Sequence, residues 1–187
     1  MSPANHAGRL LVASPSVTGD VFARSVILVL HHGDDGAQGV VLNHPTQMPV
    51  DSVLPGWEEL TTGPHVVFHG GPVQIDSAIG LVSVPGEFDG ELMGVRLLFG
   101  QTGLVDLDAP PPLVAAHLAG LRIFAGYAGW SAGQLEGELA RGDWYVVDAE
   151  PRDAFAANPA TMWADVLRRQ RNSLQFVALY PPNPELN

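Results

Sequence analysis

The sequence predicts an α+β fold: a single domain built on a large mixed β-sheet with flanking helices. Three observations carry this. Short apolar, β-branched segments bounded by Gly, Pro and Asp dominate the first half of the chain. Strand-like and helix-like segments alternate in the second half. No internal repeat, low-complexity run or linker interrupts the 187 residues, and 46% hydrophobic content is enough for one sizeable core.

Residues 1–8, "MSPANHAG", read as a disordered start, and 9–180 as the domain. "RLLVASP" is a short strand stopped by Pro15. "SVILVLHH" (25–32) is a β-branched run, as expected of a strand buried on both faces. "GDDGAQG" supplies a turn and "VVLNHP" the next strand, so the two form a hairpin. The pattern weakens from Met48 to Gly63, with a short helix expected near Val50–Leu54. "HVVFHGG" is a strand running into a Gly-Gly-Pro turn, "SAIGLVSV" is another strand, and "GVRLLFG" with "TGLVDLD" forms a further pair. The Gly- and Pro-rich stretch from Gly86 to Gly103 is the expected mobile excursion. Prolines 110–112 open a helix that Gly120 closes. "LRIFAGYAG" is a strand, "SAGQLEGELARG" a helix, "DWYVVDA" a strand and "ATMWADVLRRQ" the last clear helix. "LQFVALYPP" reads as a final strand before the Pro-rich tail, 181–187.

Composition excludes several chemistries. There is no Cys and no Lys; all nine basic side chains are Arg. Thiol nucleophiles, disulfides, thiolate metal sites, Schiff bases and a P-loop lysine are therefore ruled out. The net charge of −11 repels phosphate backbones, so direct nucleic-acid binding is not expected. The one basic cluster, Arg168, Arg169 and Arg171, falls near a helix end, where cations complement the macrodipole. No apolar run is long enough for a membrane span or signal segment, and a cytoplasmic protein is expected.

Gly129-Trp130-Ser131-Ala132-Gly133 spells the G-x-S-x-G of a nucleophile elbow, between a strand and a helix. In that fold the histidine follows the serine, yet all seven histidines (6, 31, 32, 44, 65, 69, 117) precede Ser131. Ser131 with Gln134 three positions later spells a capping box instead, with Leu135 and Leu139 on one face and Gly142 as the terminating glycine. No catalytic residue is assigned.

For a metal, His31-His32, Asp34, Asp35 and His44 bracket a hairpin that could bring His31 or His32 near Asn43 or His44, but adjacent strand residues face opposite ways. His65 and His69 sit roughly 13 Å apart on a strand, too far to share an ion. "DDGAQG" lacks the alternating ligands of an EF-hand. No metal or cofactor is expected. Backbone amides opening the 131–141 helix could hold a small anion, although Glu136 and Glu138 already occupy the favourable dipole position. Tyr127, Trp130 and Trp144 crowd one region; aromatics at a strand-to-helix corner are more often core than binding box, yet Tyr127 and Trp130 in so glycine-rich a loop suit an exposed recognition surface.

"FARSVILVLHHGDDGAQGVVLNHP", then "HGGPV", then "GYAGWSAGQLEGEL" with "DWYVVDA", resemble in order and spacing the bacterial YqgE/AlgH family, also called DUF179 or UPF0301. The resemblance runs from Arg9 to about Gln170, and its pattern often has Gly where this chain has Ser131. It implies a single α/β domain with a mixed sheet and no established biochemical activity. One branch carries the label of transcriptional regulator, but this chain has no helix-turn-helix and no basic face. The family's motif residues fall at Asp20, Phe22, Asn43, Gly70, Gly71, Pro72, Gly126, Tyr127, Gly129, Trp130, Gly133, Gln134 and Glu138. All but Gly133 form the expected binding surface of a non-catalytic binding or regulatory protein. Its expected partner is another protein. The alternative is a small-molecule hydrolase, or an anion- or nucleotide-binding protein using the GGP turn and the 131–141 helix start.

Overall fold

A computed structural model describes residues 4–86 and 92–182. Its strands are β1 (Arg9–Ala13), β2 (Val26–Gly33), β3 (Gly36–Val41), β4 (Pro45–Pro49), β5 (Val66–His69), β6 (Val73–Ser83), β7 (Val95–Phe99), β8 (Thr102–Val105), β9 (Gly120–Ser131) and β10 (Trp144–Asp148). The α-helices are α1 (Pro111–Ala115), α2 (Gln134–Ala140), α3 (Met162–Arg168) and α4 (Leu174–Val177). One curled ten-stranded sheet has the order β10-β1-β2-β3-β9-β6-β8-β7, with β4 and β5 attached through β9. Every pairing is antiparallel except β5 with β9, which is what makes the sheet mixed.

The curl lets distant strands share one core. Leu10, Val12, Leu28 and Val40 meet Phe68, Leu81 and Phe124, and α3 closes this core with Met162, Trp163, Val166 and Leu167. A second cluster on the outer face holds Leu11, Ile27, Val29, Ala128, Trp130 and Trp144 beneath Leu135 of α2. A third lies under α1 and the 50–60 segment, where Val50, Trp57, Val114, Leu121 and Ile123 pack. The continuous apolar run of β2 thus feeds two cores, as expected for a strand covered on both faces. Arg122 is buried in β9 and donates to the carbonyls of Gly63, Ala154 and Ala156. Its guanidinium lies 4.3 Å from the Phe68 ring centroid. Loss of water pushes its pKa down to about 10.

Several local expectations change. Residues 6–8 are docked rather than loose: Gly8 N–H donates to Val29 O at 2.8 Å. Pro45–Pro49 forms an unexpected short strand, exposed and paired only with β5, a position where proline does little harm. The expected helix near Val50 is a 3₁₀ turn over Val50–Ser52, followed by another over Glu58–Leu60. The second half of the expected 86–103 excursion is largely sheet, because β7 and β8 pair there; residues 87–91 lie outside the described residues. The helix opened by Pro110–Pro112 ends at Ala115, and Gly120 begins β9 instead of closing it. "LQFV" is one helical turn, not a final strand; apolar runs this short fit either state. No helix among the described residues is long and apolar enough to cross a membrane.

Candidate functional site

The two glycine motifs meet where β9 changes neighbours. On one side β9 pairs with β5 up to Ala125 and then with β3 over Ala128–Ser131, while on the other it pairs with β6 as far as Tyr127. Gly70 bridges the junction, donating to Ala125 O and accepting from Val41 N–H, both at 2.9 Å. There is no room for side chains. A Cβ on Gly70 would lie 2.3 Å from Gly126 O, one on Gly71 2.1 Å from the Tyr127 carbonyl carbon, and one on Gly126 2.4 Å from Gly71 O. Gly126 also has φ +71°, a left-handed backbone that disfavours any side chain. Gly70, Gly71 and Gly126 therefore form a backbone-on-backbone crossing, and of "GGP" and "GYAG" only Pro72 and Gly129 are exposed.

Beyond the crossing, register sorts side chains into two rows. The two-residue Asp34–Asp35 turn pairs Gly33 with Gly36, hence His32 with Ala37 and His31 with Gln38. β9 extends both rows, pairing Ala37 with Trp130 and Gln38 with Gly129. Neither His31 nor His32 approaches Asn43 or His44 through this pairing, contrary to expectation, because the short turn fixes the register first.

The His32–Ala37–Trp130 row is sealed by α2. Trp130 is only 7% exposed, so it is core rather than recognition surface. Its indole N–H donates to Glu138 Oε2 at 2.8 Å, and the Trp144 indole donates to the same oxygen at 2.8 Å. The two rings meet edge-on, with centroids 6.2 Å apart, and Phe22 packs edge-on against Trp144. Gln134 Nε2 holds the other Glu138 oxygen. Asn43 is structural as well: its Oδ1 accepts from Val26 N–H and its Nδ2 donates to Arg24 O.

Half of the capping box forms. Gln134 Oε1 accepts from Ser131 N–H at 3.0 Å, but the N-cap is Gly133 (φ +78°) and makes no side-chain cap bond. Ser131 closes β9, and its hydroxyl donates to Gln134 Oε1 at 3.3 Å, with no histidine in that contact. The C-terminal prediction forms fully: Gly142 N–H donates to Leu139 O and Asp143 N–H to Glu138 O, a Schellman pair. With seven residues and Glu136 in its first turn, α2 offers no strong anion seat.

At the sealed edge His32 Nδ1 accepts from His6 N–H at 3.1 Å, so Nε2 carries the proton and donates to Glu136 Oε1 at 2.7 Å. The His6 ring stacks on His32, centroids 5.4 Å apart. Burial, then His32 and Arg9, hold His6 below its ordinary pKa despite Glu136. Its own backbone hydrogen bond, then His32, hold Glu136 low.

The His31–Gln38–Gly129 row is open. It floors a depression of about 260 Å³, walled by Val73, Tyr127 and Asp35. His31 Nε2 lies 3.1 Å from Asp35 Oδ1, and that hydrogen bond holds the carboxyl below its usual range. Gly129 differs from its neighbours in the motif: its φ is ordinary and an added Cβ would sit 3.5 Å from Tyr127 Cε2 and Val73 Cγ2, ordinary contact. Of the expected surface residues, this depression gathers Tyr127, Gly129 and the edge of Trp130. Asp20 is exposed on the loop before β2, away from it. Gln38 and Val73 were not singled out in the sequence, and His31 and Asp35 only as metal candidates; the two-residue turn was the signal that could have placed His31, Asp35 and Gln38 together.

A larger depression, about 460 Å³, lies between α3 and residues 152–158, but its cations are engaged. Arg169 donates to both Asp153 oxygens at 2.6 and 2.7 Å. Among the described residues no three His, Cys, Asp or Glu side chains could together hold a metal ion.

The profile of the AlgH-like family, DUF179, matches residues 10–175. A UPF0301 protein of Streptomyces avermitilis is 53% identical over 182 residues, covering 96% of this chain and 94% of the relative. One from Mycobacterium ulcerans is 44% identical over 176 residues, covering 94% and 88%. A crystal structure of a Corynebacterium diphtheriae protein superposes with a TM-score of 0.88 at 33% identity, covering 96% and 95%. The solution structure of the Pseudomonas aeruginosa AlgH protein superposes with 0.70 at 26% identity, covering 97% of each chain.

Proposed function

Because the chain belongs to the AlgH-like family, DUF179, we propose that it is a non-catalytic, cytoplasmic binding or regulatory protein. It acts through protein–protein contacts made at the depression between β3 and β9. The observation that supports this reading is Gly129. Gly70, Gly71 and Gly126 are demanded by the crossing, and Gly133 by its positive φ. Gly129 is demanded by neither, and the side chain it lacks leaves the floor beside Tyr127 open. Glycine in a strand weakens it, so an unforced one marks close approach by something else. A regulatory effect would pass through such a contact, since the chain's acidity disfavours nucleic acid.

The test is affinity purification from native cells with the wild type, Gly129→Val and Tyr127→Ala. A specific partner should be recovered by the wild type and lost with Gly129→Val at unchanged thermal stability. Equal recovery by all three would remove this assignment. Trp130→Ala and Asn43→Ala are unsuitable probes, because both side chains hold the fold.

A further inference from the structure

Resting on the docking reading above, we propose that the β3–β9 depression receives a cationic side chain of the partner, a guanidinium in preference to an ammonium. Its lining contains a carboxylate and an amide, Asp35 and Gln38, but no Arg of this chain. The Asp35 side chain is 79% exposed; Oδ1 meets His31, while Oδ2 has no side-chain partner among the described residues. A guanidinium is planar and carries several donors, matching a carboxylate oxygen and the Gln38 amide oxygen together. Tyr127 lines the depression beside Gly129 and supplies an aromatic ring, and Val73 an apolar wall for the aliphatic stem. Charge complementarity reaches beyond the pocket: a net charge of −11 draws cationic segments and repels anionic ones. A phosphate or carboxylate would instead meet Asp34 and Asp35 on the rim hairpin.

The experiment titrates the ¹⁵N-labelled full chain with N-acetyl-arginine amide, its neutral isostere N-acetyl-citrulline amide, and N-acetyl-glutamate amide. The arginine probe should give saturable shifts of the Gly129 and Gln38 amides, and Asp35→Asn should weaken it about tenfold, as befits loss of one charge-assisted hydrogen bond. Equal shifts from the citrulline or glutamate probe would overturn the cation preference while leaving the docking reading intact. No shift at Gly129 with any probe would overturn it as well, and the Gly129→Val purification then decides separately on the docking reading.

Discussion

Gly126 and Gly129 lie three residues apart on one strand and do opposite things. At Gly126 two backbones touch, and the absent side chain is a condition of folding. At Gly129 the absent side chain leaves a space that nothing in the chain fills. The same division runs across the sheet: His32, Ala37 and Trp130 are sealed beneath α2, while His31, Gln38 and Gly129 face outward. A motif that is uniform in letters thus splits into a structural half and an accessible half. Register decides which residue belongs to which.

The sharpest way to break this contrast is at the crossing. Gly126→Ala places a methyl 2.4 Å from Gly71 O on a left-handed backbone. A loss of about 3 kcal/mol or more is expected from overpacking and strain together, read by denaturant unfolding. A loss below about 1 kcal/mol would mean that the crossing is looser than described.

Next comes the sealed row. Glu138→Ala leaves two indole N–H groups without their acceptor and should destabilise by about 2 kcal/mol, with changed tryptophan fluorescence. Unchanged stability would mean that the two indoles do not depend on this carboxylate.

A smaller effect follows from pH. His6 is held below its ordinary value, so the fold favours its neutral form. That contribution is complete above the unfolded value near pH 6.5 and declines as pH falls from there toward the folded value. As His6 takes up its proton within the stack on His32, its amide should lose exchange protection between roughly pH 6.5 and pH 5. Constant protection across that range would show that the stacked histidines do not tie down the N-terminal segment.

The architecture was legible because its main signals are strong. The β-branched run of β2, the Gly/Asp turn, the Pro and Gly boundaries and the amphipathic α3 all agree with one another. β4 was hidden because "PTQMP" carries two prolines and no apolar alternation. α4 was misread because four apolar-rich residues have no period. The site was less legible for a different reason. Glycine beside tryptophan looks like an exposed loop, but β9 continues to Ser131 and alternation turns Trp130 inward. Asn43 and Glu138 looked like surface recognition groups, although their polar atoms are used by the fold. Only pairing through the 34–35 turn brings His31, Gln38 and Gly129 into one row.

The smallest expected effect on stability is also the most informative. Gly129→Ala should leave stability unchanged or raise it by about 0.5 kcal/mol, since strand glycine carries an entropic penalty and the methyl has room. Gly129→Val fills more of the floor on a strand that suits a β-branched residue. The decisive measurement is the affinity of Gly129→Val for a partner recovered with the wild type, alongside its melting temperature. A wild-type melting temperature with binding reduced at least about tenfold is the predicted result. Wild-type affinity at wild-type stability would contradict the assignment of this depression.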